Sequence, residues 1–293
     1  MTDFSRTHPL TLFCYFASAV TVTLLTRHPV ILALSGTFSL IYALYKEKAK
    51  TALKALVFVV AIALFIIITN SIFASEGETE LFSLGKAAIT LEEIYYGVAL
   101  AASFASVIFW FRFLNKTLSD DKFIYLFGSV LPRTGATLAL SLKSISLFRK
   151  KAEDIKEALV GLDGGSKRSV FSRMRRAARV FLGLFAWSFE NVADTAAAMR
   201  ARGYGLKPRT RYARYRFRFS DGLLTVFAVA VVAAVIFGVA SGELAYAYYP
   251  RPGAIAFGWE AICAYSLCGM FFAWPLISEI KEIYKWRSLK FAI

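Results

Sequence analysis

Apolar residues gather into six runs, separated by short polar or charged stretches. The first, Leu10 to Leu25, stops at Arg27-His28-Pro29, and the second, Val30 to Tyr45, at Lys46-Glu47-Lys48-Ala49-Lys50. Leu53 to Phe73 is the cleanest. Leu91 to Phe113 is interrupted only by Arg112, and Leu223 to Val239 and Ile255 to Ile277 close the series. Unbroken apolar stretches of about 20 residues are read as membrane-spanning helices. The first two runs sit near the lower limit of about 17 residues. A tight pair crossing a thin region fits them, and so does a re-entrant hairpin, so the expectation is six spans, or five. No Ala-x-Ala-like cleavage site follows the first run, which is therefore expected to be retained.

Composition agrees with a membrane protein. Of the 293 residues 57% are hydrophobic and only 19% charged, and the mean hydropathy is +0.54. The net charge is nevertheless +15, so the charges must lie in blocks. Ser141 to Ser220 holds 19 Lys and Arg against 6 Asp and Glu, and Lys46, Lys48, Lys50 and Lys54 form a second basic cluster. The stretch Ser75-Glu76-Gly77-Glu78-Thr79-Glu80 has no basic residue. Basic loops stay on the cytoplasmic side. Both basic clusters are thus expected inside and the acidic loop outside. Both termini, with Arg6 at one end and Lys281, Lys285, Arg287 and Lys290 at the other, also fall inside, which an even number of spans satisfies.

Candidate chemistry in the spans is sparse. Cys14, Cys263 and Cys268 sit in apolar segments with no Cys-x-x-Cys partner or nearby His ligand, which argues for packing and against a metal site. His8 and His28 each precede a proline and read as loop residues. Membrane phosphotransfer would need clustered aspartates, and no apolar run holds a pair. Glu92 and Glu93 suit a helix amino terminus. An ion-coupled carrier usually shows ionisable or broken-helix positions at mid-membrane, and none stands out. Gly164-Gly165-Ser166-Lys167-Arg168-Ser169 lacks the first glycine of a phosphate loop and follows no strand, so a flexible turn is expected there. No enzyme activity, cofactor or metal is implied.

The basic block carries the information. Helix is expected from Phe123 to Lys151, punctuated by Pro132, and again, amphipathic and charged, from Ala152 to Val160. A break follows at Leu162 to Ser166. Ser169 to Arg202 then has helical spacing without proline, long enough to reach roughly 50 Å. Its first turns carry Arg173, Arg175, Arg176 and Arg179, and its middle is apolar from Val180 to Trp187. Gly203 is the expected left-handed cap. Such a block could rest on anionic lipid, or could simply orient the chain, as in Lys207-Pro208-Arg209-Thr210-Arg211-Tyr212. Nucleic-acid binding is not expected, because membrane tethering accounts for the charge.

Three stretches resemble one family. Ala198-Met199-Arg200-Ala201-Arg202-Gly203-Tyr204-Gly205, followed by Arg209-Thr210, is similar to an Ala-Arg-Gly signature at the end of a coupling helix. Thr90-Leu91-Glu92 through Tyr96-Gly97, with Asp121 to Gly128 and Leu131-Pro132, is the second match, and Ala186-Trp187-Ser188-Phe189-Glu190-Asn191 is the third. Together they run from about Leu53 to Asp221. They resemble the transmembrane T component (EcfT, related to CbiQ) of energy-coupling factor transporters, ABC-type importers of vitamins and metal ions.

The resemblance implies an all-α polytopic protein of the cell membrane in three segments: amino-terminal spans at 1–118, basic cytoplasmic coupling helices at 119–220 and carboxyl-terminal spans at 221–293. It implies two cytosolic ABC-type ATPase subunits and a membrane-embedded substrate-binding S component as partners, with the lipid bilayer around them. The chain itself would neither hydrolyse ATP nor hold substrate. Arg202, flanked by Arg200, Ala201 and Gly203, would pair with an acidic side chain in an ATPase groove. The apolar middle around Phe185 and Trp187 would pack on the other coupling helices. The family uses a second such motif, due near Ala158-Leu159-Val160-Gly161. This sequence has no arginine there, so the contact is either apolar or taken over by Lys156 or Arg168. Outside the resemblance, a stand-alone secondary transporter and a membrane-anchored binding protein with a lipid-contacting basic domain are the alternatives.

Overall fold

A computed structural model of the chain describes residues 7–47, 49–73, 78–84, 87–130, 132–162, 170–206, 215–255 and 258–290. They form nine helices and one hairpin: α1 Pro9–Leu25, α2 Pro29–Lys46, α3 Ala49–Phe73, β1 Glu80–Leu84, β2 Ala87–Thr90, α4 Leu91–Thr117, α5 Asp120–Val130, α6 Pro132–Leu162, α7 Val170–Ala201, α8 Phe219–Ala240 and α9 Trp259–Lys290. Two compact units result. One joins Met1–Ser119 to Tyr215–Ile293, and the other is Asp120–Arg214.

The first unit is the membrane bundle. Four of its helices are long and apolar enough to cross a bilayer: Lys50–Phe73, Leu91–Thr117, Phe219–Ala240 and Trp259–Lys281. α1 and α2 have 17 and 18 residues, about 26 Å of helix against a hydrocarbon core of about 30 Å. They are nevertheless central to the bundle. Leu12, Tyr15, Phe16 and Val22 of α1 and Ile31 and Tyr42 of α2 are buried with Trp110 and Phe113 of α4 and Phe271 and Phe272 of α9. His8 and His28 are the N-cap residues of α1 and α2, each followed by a proline at the first helical position, where its fixed φ suits the helix and its missing N–H costs nothing. Glu93 starts α4 by accepting from the Thr90 N–H at 3.1 Å. α3 and α4 approach closely at Gly97, where a Cβ would stand 3.2 Å from the Ile67 Cα.

Several polar groups inside the bundle pair with one another, as hydrocarbon favours. Trp110 donates through Nε1 to Ser35 Oγ at 3.0 Å, and Ser35 Oγ lies 2.7 Å from Thr23 Oγ1. Pro275 lies inside α9. It has no N–H for the Phe271 carbonyl, and the Tyr15 hydroxyl of α1 donates to that carbonyl instead, at 2.8 Å. One residue on, the Leu276 N–H donates to the Tyr42 hydroxyl of α2, which itself lies 3.3 Å from the Phe272 carbonyl. A side chain thus enters the backbone ladder beside the proline.

The two ends of the bundle differ. At one end Glu47, after α2, meets Arg112 and Lys116 at the end of α4, and Thr11 near the start of α1 donates to the Asp221 carbonyl at the start of α8. At the other end Arg251 pairs with Glu78 at 2.8 Å, and Arg27 donates to the Tyr96 hydroxyl at 2.6 Å. Lys46, Lys50 and Lys54 thus share an end with Arg112 and Lys116, opposite the acidic stretch. Thr79 closes that stretch onto the bundle by donating to Glu92.

Three expectations need correction. The connector after α3 is partly an antiparallel hairpin, with Phe82 opposite Ile89 and Ser83 opposite Ala88. The break expected between Lys151 and Ala152 does not exist: α6 runs on to Leu162, because no glycine or proline intervenes. Of the three cysteines expected to pack, Cys268 is buried and Cys14 half-buried, but Cys263 is exposed.

Candidate functional site

The second unit holds α5, α6 and α7. α7 has 32 residues and no buried side chain. It lies antiparallel on α6: Ile155 of α6 touches Gly183, and Phe148, further back along α6, meets Trp187 edge to face at 5.5 Å. Lys151 lies over the Trp187 ring at 5.8 Å.

α7 ends in a closed backbone motif. The Tyr204 N–H reaches back to the Met199 carbonyl at 2.9 Å and the Gly203 N–H to the Arg200 carbonyl at 3.0 Å. Gly203 has φ +76°. This is the Schellman arrangement, with a left-handed residue just past the helix that any L side chain would strain. Arg200, Ala201 and Arg202 are exposed on this fixed end. Among the described residues the Arg202 guanidinium has no ion-pair partner. Arg209 and Thr210, which extend the signature, lie outside the described residues.

The end of α6 is the other candidate. Ala158, Val160 and Gly161 are exposed there, as is Lys156. A Cβ on Gly161 would meet nothing within 4 Å. Arg168, the other residue considered for that role, lies outside the described residues, as does the glycine-rich run Gly164 to Ser169. The two candidate ends are not brought together. From the Ile155–Gly183 contact, Arg202 lies nineteen residues along α7, about 28 Å. Gly161 lies six residues along α6 in the opposite direction, about 9 Å.

The profile of the CbiQ family, described as cobalt transport protein, matches residues 5–212, more than half of the chain. The chain belongs to the CbiQ family. Its relatives include energy-coupling factor transporter transmembrane proteins EcfT. That of Listeria innocua is 30% identical over 182 residues, covering 58% of this chain and 68% of the relative. That of Streptococcus equi is 28% identical over 181 residues, covering 57% and 65%. That of Limosilactobacillus fermentum is 38% identical over 73 residues, a quarter of this chain and 27% of the relative. The chain thus spans about two thirds of the length of two of these relatives and about a quarter of the third. Both candidate helix ends lie inside the CbiQ match.

One feature of this CbiQ-family chain escaped the sequence. Phe185 does not pack on the neighbouring helix as expected. It meets Phe181 at 6.3 Å and Phe189 at 4.9 Å within α7 and is 55% exposed. With Phe171, Met174, Leu182 and Val192 these rings form an exposed apolar stripe along the helix, opposite the face that carries Gly183 and Trp187 against α6. The recurrence at 171, 174, 181, 185, 189 and 192 was the available signal. Among the described residues no group of three or more His, Cys, Asp and Glu side chains is placed to hold a metal ion.

Proposed function

We propose that this multi-pass membrane protein is the transmembrane coupling subunit of an energy-coupling factor importer. The observation that carries the reading is the exposed, backbone-locked helix end at Ala201-Arg202-Gly203. In this reading two cytosolic ATPase subunits bind ATP and close, and each accepts one helix end of the second unit in a surface groove. The α7 end inserts Arg202 against an acidic side chain. The α6 end inserts the apolar surface of Ala158, Val160 and Gly161. The opposite directions of these two ends suit two separate ATPase subunits better than one.

A stiff helix of about 48 Å can carry that closing motion; a loop could not. The apolar stripe of α7 is the face on which a separate membrane-embedded substrate-binding S component rides. Contiguous exposed apolar surface of this extent marks an interaction site. The bundle anchors the lever in the cell membrane, with the basic end cytoplasmic. ATP hydrolysis belongs to the ATPase subunits and the choice of substrate, a vitamin or a metal ion, to the S component.

Pull-down of the tagged protein in mild detergent tests this. ATPase subunits and a small membrane protein should copurify. A chain that purifies alone, and transports alone when reconstituted, contradicts it.

A further inference from the structure

Glu47 occupies an unusual place. Its side chain is 3% exposed, yet it follows α2 at the basic end of the bundle. Both carboxylate oxygens are used: Arg112 Nη2 donates to Oε1 at 2.8 Å and Oε2 at 2.6 Å, and Lys116 Nζ lies 3.1 Å from Oε1. Arg112 and Lys116 are one turn apart in the last two turns of α4. Only Leu118 and Ser119 separate α4 from α5, where the second unit begins. The chain returns to the bundle at Tyr215, where Tyr215 and Phe217 set their rings against His8 at 6.5 and 5.3 Å. Both crossings are therefore fastened to the start or end of another helix, the first of them by charge.

We infer that Glu47 is a positioning residue for coupling, which clamps the end of α4 so that force on the second unit reaches the bundle. The inference rests on the coupling function proposed above. A lever transmits motion only if its root is fixed. With the carboxylate neutralised, the end of α4 is held by Phe113 and Thr117 but no longer by charge, and its last turn can yield to the movement of α5, since helix ends open more readily than helix centres. Arg112 and Lys116 can then turn their heads toward water or lipid headgroups, and the apolar core of the bundle stays intact. The loss is one of transmission rather than of folding.

The test uses the assembled complex in vesicles and measures ATP hydrolysis and uptake together. E47Q should copurify with ATPase subunits as the wild type does and should hydrolyse ATP, but uptake per ATP should fall about tenfold, the scale of one lost charge-assisted hydrogen bond. E47R alone, which faces two cations, should do no better. E47R combined with R112E restores a pair of opposite sign and should recover most of the uptake per ATP. Wild-type uptake per ATP in E47Q overturns the inference. So does loss of ATPase subunits from E47Q, which would place Glu47 in assembly. No recovery in the double variant also overturns it. If the wild-type chain itself brings down no ATPase subunit, the coupling function fails first, and this inference with it.

Discussion

Replacing Gly203 by alanine tests whether the end of α7 must be held in one conformation. Gly203 sits at φ +76°, where an L-residue costs roughly 1–2 kcal/mol. A Cβ there would also stand 3.3 Å from Leu206 Cδ1, a contact a flexible side chain can relieve. The backbone term therefore dominates. If the helix end must be closed to enter its groove, that cost is added to docking and lowers affinity by a factor of about 5–30. Gly183→Ala is the matched control. Gly183 lies inside α7, away from both candidate contacts, its added Cβ would make an ordinary contact with Ile155 at 3.4 Å and it needs no left-handed backbone, so alanine is neutral or improves helix stability by up to about 1 kcal/mol. Gly203→Asn, which tolerates the left-handed region, should fall between them. The assay is titration of purified ATPase subunits onto detergent-solubilised protein, with thermal unfolding as the check on fold. Equal affinity for the Gly203 and Gly183 variants would refute the reasoning.

Other outcomes follow from the bundle. In a cysteine-free background, Glu78→Cys should react with a membrane-impermeant maleimide in intact cells and Ala193→Cys only after permeabilisation; the reverse pattern overturns the orientation. Gly97→Leu should force α3 from α4 at the Ile67 contact, an overpacking cost of about 1–3 kcal/mol, visible as a lower unfolding temperature; an unchanged one would show that the helices can shift apart freely. Burial pushes the Glu47 carboxyl up, but hydrogen bonds and charge from Arg112 and Lys116 outweigh it and hold its pKa below the ordinary value. A depressed folded pKa gives stability that is complete above the unfolded value and is lost as pH falls through the folded one. The wild type should therefore lose stability relative to Glu47→Gln as pH drops below about 4; parallel pH profiles would show that the clamp contributes none.

Much of the bundle was legible because each feature is local. His8 and His28, read as loop residues, are the caps of α1 and α2, whereas the runs of apolar residues and the acidic start of α4 at Glu92 and Glu93 show locally. Gly203 was legible for the same reason. What escaped depends on partners far along the chain. Nothing near Tyr15 or Tyr42 shows that their hydroxyls fill the gap left by Pro275, more than 230 residues away. Glu47 reads as one more charge in Lys46-Glu47-Lys48 until α4 is folded against it. The hairpin at Glu80 to Thr90 was hidden by the acidic stretch before it. The apolar middle around Phe185 and Trp187 was expected to pack on the other coupling helices; Trp187 does, and only the position of α6 shows that the Phe185 face of α7 is left uncovered.

Arg202 carries the central claim, and its variants measured for uptake test that claim most directly. A guanidinium entering a groove makes two parallel hydrogen bonds to a carboxylate. If docking removes water from the pair, loss of one partner costs about 3–5 kcal/mol; if the pair stays wet, about 0–1 kcal/mol. Force transmission requires the first. Arg202→Ala should abolish uptake at normal membrane levels, and Arg202→Lys should restore it only in part, because an ammonium cannot make the fork. Arg200→Ala should matter less, since Arg200 lies about 200° around the helix from Arg202. Normal uptake by Arg202→Ala would contradict the account of this helix end as the coupling contact.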